Sequence, residues 1–118
     1  MTFRRTIPAL LAAGAALLSA APADAGAGKT KTIKLYDNYF TPDELKVSKG
    51  STVTWKWPLD PIDVHDVKLK KGPDGVRKFH SEPASSGYTY KRRLKVKGTY
   101  RIICTLHEEM KMTIKVTG

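Results

Sequence analysis

Thr32 to Leu35 alternates polar and apolar side chains, with Ile33 and Leu35 set against Thr32 and Lys34. A period of two marks a strand with one buried face, because successive side chains of extended backbone point to opposite sides. The same pattern returns along the chain. Val53, Trp55 and Trp57 alternate with Thr52, Thr54 and Lys56 after a Lys49-Gly50 turn. Tyr88, Tyr90, Leu94 and Val96 precede a Lys97-Gly98 turn; Tyr100, Ile102 and Cys104 follow it, and Met112, Ile114 and Val116 alternate at the end. Between Pro58 and Gly87 the alternation weakens into Pro, Gly, Asp and Ser, which predicts loops around one short strand near His65 to Leu69. No long stretch keeps a helical period and no internal repeat is visible. Many short strands punctuated by turns predict an all-β chain folded as a sandwich or barrel of antiparallel strands.

The first residues follow another rule. Arg4-Arg5, a run from Ile7 to Ala21 dominated by Ala and Leu, and Ala23-Asp24-Ala25 form the basic, apolar and small-residue regions of a secretory signal, with cleavage expected after Ala25. A membrane span needs about 20 apolar residues, whereas this run is shorter, broken by Gly14 and ended by Pro22 and Asp24. No cysteine lies near the cleavage site to accept a lipid, and Arg4-Arg5 hints at twin-arginine export. The expected organisation is a signal peptide over 1–25, a short leader over 26–30 and one domain over 31–118, exported to the periplasm, the cell envelope or the exterior.

At 118 residues the chain has room for one domain, which excludes a large multi-domain enzyme. With 21 Lys and Arg against 11 Asp and Glu, its formal charge is +10. Ten of the cations fall in two runs, Lys68, Lys70, Lys71, Arg77 and Lys78, then Lys91, Arg92, Arg93, Lys95 and Lys97. Such runs are by default a solvated face; read functionally, they steer the protein toward an acidic redox partner or an anionic cell surface. Nucleic acid fits neither export nor the lack of a recognition motif. The single cysteine, Cys104, excludes an intramolecular disulfide, and 3 His and 3 Met complete a small supply of soft donors.

Those donors are grouped. Cys104, His107 and Met110 stand three residues apart between two predicted strands, and His65 lies far upstream. Taken singly, each has an ordinary reading: a buried thiol, a packed histidine, a methionine filling the core. Taken together they supply one thiolate, two imidazoles and a thioether, the set of a trigonal His₂Cys copper site with a weak axial Met. Zinc is the competing metal, but a structural zinc site would add another Cys or His rather than a Met.

With these residues the chain resembles the cupredoxins, the small blue copper proteins. The likeness runs through Tyr39-Phe40-Thr41-Pro42 into Leu45-Lys46-Val47, the Lys49-Gly50 turn with Val53-Thr54-Trp55, His65 with Val67, Phe79 with Ser81, and Gly98-Thr99-Tyr100 leading to Cys104-Thr105-Leu106-His107. The short Cys-x-x-His-x-x-Met loop is its most specific part. The resemblance implies a Greek-key β-sandwich with antiparallel and mixed pairing, one type 1 copper ion held by His65, Cys104, His107 and Met110, and His107 as the electron port. It also implies a monomeric carrier of one electron between redox partners, not an enzyme, since a saturated copper leaves no open position for substrate. A copper-binding or copper-delivery protein of the cell envelope is the alternative, and a scaffold module with a free thiol is a third reading.

Four features depart from the family pattern. Asp66 follows the first ligand where Asn is common, Met112 stands where Gly is frequent and is a second candidate axial donor, and Glu108-Glu109 put acid beside His107. His80 sits in a polar loop without a family counterpart and is expected to be solvated.

Overall fold

The computed structural model describes residues 29–118, so the expected signal peptide lies outside the described residues. Eight strands follow in order: β1 (Thr30–Tyr36), β2 (Tyr39–Thr41), β3 (Glu44–Ser48), β4 (Ser51–Lys56), β5 (Lys68–Lys71), β6 (Thr89–Leu94), β7 (Gly98–Ile103) and β8 (Lys111–Thr117). They form two four-stranded sheets, ordered β2-β1-β4-β6 and β3-β8-β7-β5. Alternation puts Ile33, Leu35, Val53 and Trp55 of one sheet and Val47, Tyr100, Ile102, Ile114 and Val116 of the other into a shared core. Complete burial of each such side chain contributes roughly 1.5 to 3 kcal/mol.

The sheets are mixed rather than wholly antiparallel, because β1 pairs with β4 in parallel and β3 with β8 in parallel. Between β1 and β4 the chain crosses to the second sheet to lay down β3, so β4 returns in the direction of β1. Two glycines serve turns: Gly50 has φ +92°, and at Gly98 (φ +141°) a Cβ would come within 2.6 Å of Pro73.

The two basic runs fall on or beside β5 and β6, one edge strand of each sheet. Charged side chains, lysine above all, keep such edges from pairing with other chains, which gives the runs a structural role.

The predicted strand at His65–Leu69 is displaced to β5, and His65 itself makes only an isolated bridge with Ala84. Side-chain acceptors divert the backbone between them: Asp66 N–H donates to Cys104 Sγ (3.5 Å) and Val67 N–H to Ser81 Oγ (2.9 Å), so no ladder extends from β5 back to His65.

Strand directions gather four segments at one end of the sandwich. β1, β4 and β7 run into that end while β5, β6 and β8 leave it. The segments are 37–38, 57–67, 79–88 and 104–110, and the stitching of 57–67 to 79–88 is by backbone bonds such as Ile62 N–H to Ser85 O and Gly87 N–H to Pro58 O.

Candidate metal centre

The segment 104–110 is closed on itself by two backbone bonds, Cys104 N–H to Met110 O and Met110 N–H to His107 O, both 3.0 Å. This tight loop turns Cys104 inward at the end of β7 and leaves Met110 fully buried at the start of β8. His65 is carried by the other segment and is clamped to Ala84 through bonds in both directions, 2.9 and 3.0 Å.

His65, Cys104 and His107 therefore arrive from two loops at one place, and Met110 is bonded through its backbone to Cys104 and His107. His65 Nδ1 and His107 Nδ1 are 3.1 Å apart, and Cys104 Sγ lies 3.8 Å from the first and 3.6 Å from the second. Three donors spread in a plane about 2.0 to 2.3 Å from a shared ion stand roughly 3.5 to 4 Å from one another, so this spacing is on the scale that one metal requires. Two imidazoles and a thiolate with a neighbouring thioether fit copper in its type 1 form. Burial pushes the Cys104 thiol up from its ordinary value, so metal binding must displace its proton.

The residue that sequence reasoning missed is Asp37, in the turn between β1 and β2. Its Oδ1 accepts from His65 Nε2 at 2.8 Å and from Asp63 N–H at 2.9 Å. A carboxylate on Nε2 keeps the proton there and leaves the Nδ1 lone pair facing the cluster, the usual way an outer partner sets a histidine ligand. The hydrogen bond from His65 outweighs the opposing effect of burial and holds the Asp37 carboxyl below its ordinary value. In the sequence Asp37-Asn38 reads only as a turn, and nothing there signals a partner 28 residues away.

The departures resolve as follows. Asp66 is buried and makes the tie between the two segments: its Oδ1 accepts from Thr105 N–H at 2.7 Å and its Oδ2 from the Thr105 hydroxyl. His80 is not simply solvated; its ring is half exposed, yet Nε2 donates to Asp66 Oδ2 at 2.8 Å. Burial of Asp66 disfavours the charged form, but the bonds from His80 and Thr105 outweigh it, and the carboxyl is held below its ordinary value. Met112 belongs to the core, its sulfur accepting from Trp55 Nε1 at 3.4 Å. Glu108 and Glu109 are both exposed beside His107.

The centre is asymmetric in its access. His65 is sealed, whereas the His107 side chain is 22% exposed and carries Asp63 Oδ2 at 3.9 Å from its Nε2. Leu106, 53% exposed, projects beside it.

Residues 26–117 match the model of the copper binding proteins of the plastocyanin/azurin family. The chain is 35% identical over 108 residues to amicyanin-alpha of Methylorubrum extorquens, covering 92% of this chain and 86% of that protein. It is 34% identical over 120 residues to plastocyanin of Prochlorothrix hollandica, covering 92% and 85%. Among solved structures, a pseudoazurin from Sinorhizobium superposes with a TM-score of 0.64 at 20% identity over 76% of this chain and 75% of that one, a likeness of fold. Sandwich, donor set and sequence agree: the chain belongs to the plastocyanin/azurin family of copper-binding proteins.

Proposed function

We propose that the protein is an exported carrier that moves one electron at a time between redox proteins, using one copper ion held by His65, Cys104 and His107 with Met110 as the weak axial donor. The observation that carries this reading is the convergence of the two imidazoles and the thiol, whose donor atoms all lie within 4.8 Å of one another. Bound copper supplies the change between the cupric and cuprous states, and mixed nitrogen and sulfur donors suit both. The chain's own residues do the rest. Asp37 fixes the ring of His65, Asp66 ties the two segments together, and the loop closure through Met110 holds the spacing of Cys104 and His107. Little needs to move when an electron arrives, and the edge of His107 gives it a route to the surface. With four donors engaged, no position is open for a substrate, which favours a carrier over an enzyme.

Export to the periplasm or cell exterior is supported by the Arg4-Arg5, apolar and Ala23-Asp24-Ala25 pattern at the start of the sequence. The basic edges of β5 and β6 suit an acidic protein or an anionic cell surface lying against the body of the molecule. Copper delivery is a second reading, favoured by Glu108 and Glu109 exposed beside the one accessible donor.

Titration with cupric ion tests the proposal. An intense blue thiolate-to-copper band, bleached and restored by one electron per molecule, is the expected result. A tight colourless complex points to delivery, and absence of binding removes both readings.

A further inference from the structure

We propose that the copper end of the molecule docks a redox protein whose contact face is ringed with lysine and arginine. This rests on the carrier reading above and adds the chemistry of the partner. The expectation drawn from total charge is the reverse, since the chain is +10 overall.

The charge is segregated. The four segments at the copper end, 37–38, 57–67, 79–88 and 104–110, contain no Lys or Arg. They expose Asp37, Asp60, Asp63, Glu82, Glu108 and Glu109. Every cation of the described residues lies outside them; Lys56, Lys68, Lys78 and Lys111 come nearest, each next to one of the segments in sequence. The turn at Lys49 and the segment holding Lys95 and Lys97 sit at the opposite end.

The same end carries an apolar contact. Leu106 (53% exposed) and Val64 (47% exposed) flank His107 and His65 in sequence, and the two rings are 4.6 Å apart. Asp63 reaches toward His107 at 3.9 Å. An apolar centre within a polar rim is how protein interfaces are built, and here the rim has one sign.

Screening decides which charges a docked partner feels. The Debye length is about 8 Å at physiological salt, so a partner seated on Leu106 and His107 meets Asp63, Glu108 and Glu109 beside them, with Lys56, Lys68, Lys78 and Lys111 bordering the loops and the lysines at the far turns damped. An acidic partner in that position would set carboxylate against carboxylate. A second copy presenting the same end would do likewise. A cationic rim gains attraction and, through steering, a faster encounter.

The test uses the copper-loaded protein and two inorganic complexes of opposite charge. Hexaammineruthenium(II) gives one electron to the cupric protein and becomes ruthenium(III); hexacyanoferrate(III) takes one from the cuprous protein and becomes iron(II). Paired substitution Glu108→Gln and Glu109→Gln should slow the ruthenium reaction about threefold and quicken the hexacyanoferrate reaction by a similar factor at about 0.1 M salt. Lys49→Gln with Lys95→Gln, at the other end, should change neither. A redox-inert probe gives a second readout: tetralysine added to the cuprous and to the metal-free protein should shift backbone amides at 63–64 and 105–109. Rates unmoved by the glutamate pair, rates moved in the opposite sense, or amide shifts absent or located on β5 and β6 would overturn the proposal. If neither complex exchanges an electron, the carrier reading fails; a tetralysine map confined to these loops then keeps the cationic docking face and removes only its redox role.

Discussion

The two halves of the metal centre are held in opposite ways. His65 sits on a segment bound from all sides: its backbone to Ala84, its Nε2 to Asp37, and its neighbours Asp66 and Val67 to Cys104 and Ser81. Cys104, His107 and Met110 sit on a seven-residue loop closed by two backbone bonds and tied to the other half chiefly through Thr105 and Asp66. One half is heavily hydrogen-bonded and sealed, and the other is short, partly exposed and bears most of the candidate donors. The difference teaches a division of labour for the proposed copper site: the sealed half would fix where the ion sits, and the loop half would set its chemistry and its contact with partners.

The largest expected effect breaks the loop half. Cys104→Ser should abolish the blue absorption while circular dichroism shows the β-sandwich retained, since the band needs the thiolate and the core does not. A blue Cys104→Ser protein would remove Cys104 from the ligand set.

Access separates the two histidines. In His107→Gly the vacated position opens to solvent, so added imidazole should restore the blue spectrum. In His65→Gly the position is enclosed, and the same imidazole concentration should restore much less. Equal rescue of both would erase the distinction between a sealed and an open half.

The two methionines sharpen the comparison further. Met110→Leu should leave copper bound and raise the reduction potential, because the thioether donates weakly to the cupric form. Met112→Leu should leave the potential unchanged and cost about 1 to 3 kcal/mol of stability, because the buried Trp55 N–H loses its sulfur acceptor. Voltammetry and urea denaturation of both variants read these outcomes, and a potential shift confined to Met112→Leu would reassign the axial donor.

The smallest effect concerns the tie between the halves. The folded pKa of Asp66 is depressed, so its ionised form contributes stability that is present above the unfolded value near 3.8 and lost as pH falls through the lower folded value. Asp66→Asn keeps one acceptor and loses the charge-assisted bonds to His80 and Thr105. Metal-free Asp66→Asn should be less stable by on the order of 1 kcal/mol at neutral pH, with the gap closing below pH 3.8. Denaturation curves that stay separated in acid would show that the carboxylate is not the source. In the copper-loaded protein, removing this negative charge should raise the potential, by Coulomb's law.

Alternation and turn residues determined most of the fold. Apolar positions spaced by two in a chain with Lys-Gly turns have few ways to bury one face, and a sandwich is the result. The four candidate ligands stood out in the sequence because soft side chains are scarce here and three of them share one short loop; the fold brings the donor atoms of His65, Cys104 and His107 within 4.8 Å of one another. What the sequence could not express was pairing across the fold. Mixed strand direction follows from the crossing of β3 to the second sheet, which no local pattern records. His65 reads as a strand residue, yet side-chain acceptors from distant segments divert its neighbours' N–H groups. Asp37 and His80 look like turn and loop residues until folding brings them against His65 and Asp66. Total charge suggested an acidic partner, whereas only the return of four loops to one end revealed that the carboxylates collect there. Local periodicity is a property of the chain, and hydrogen-bond partners and electric fields depend on distances that exist only once it has folded.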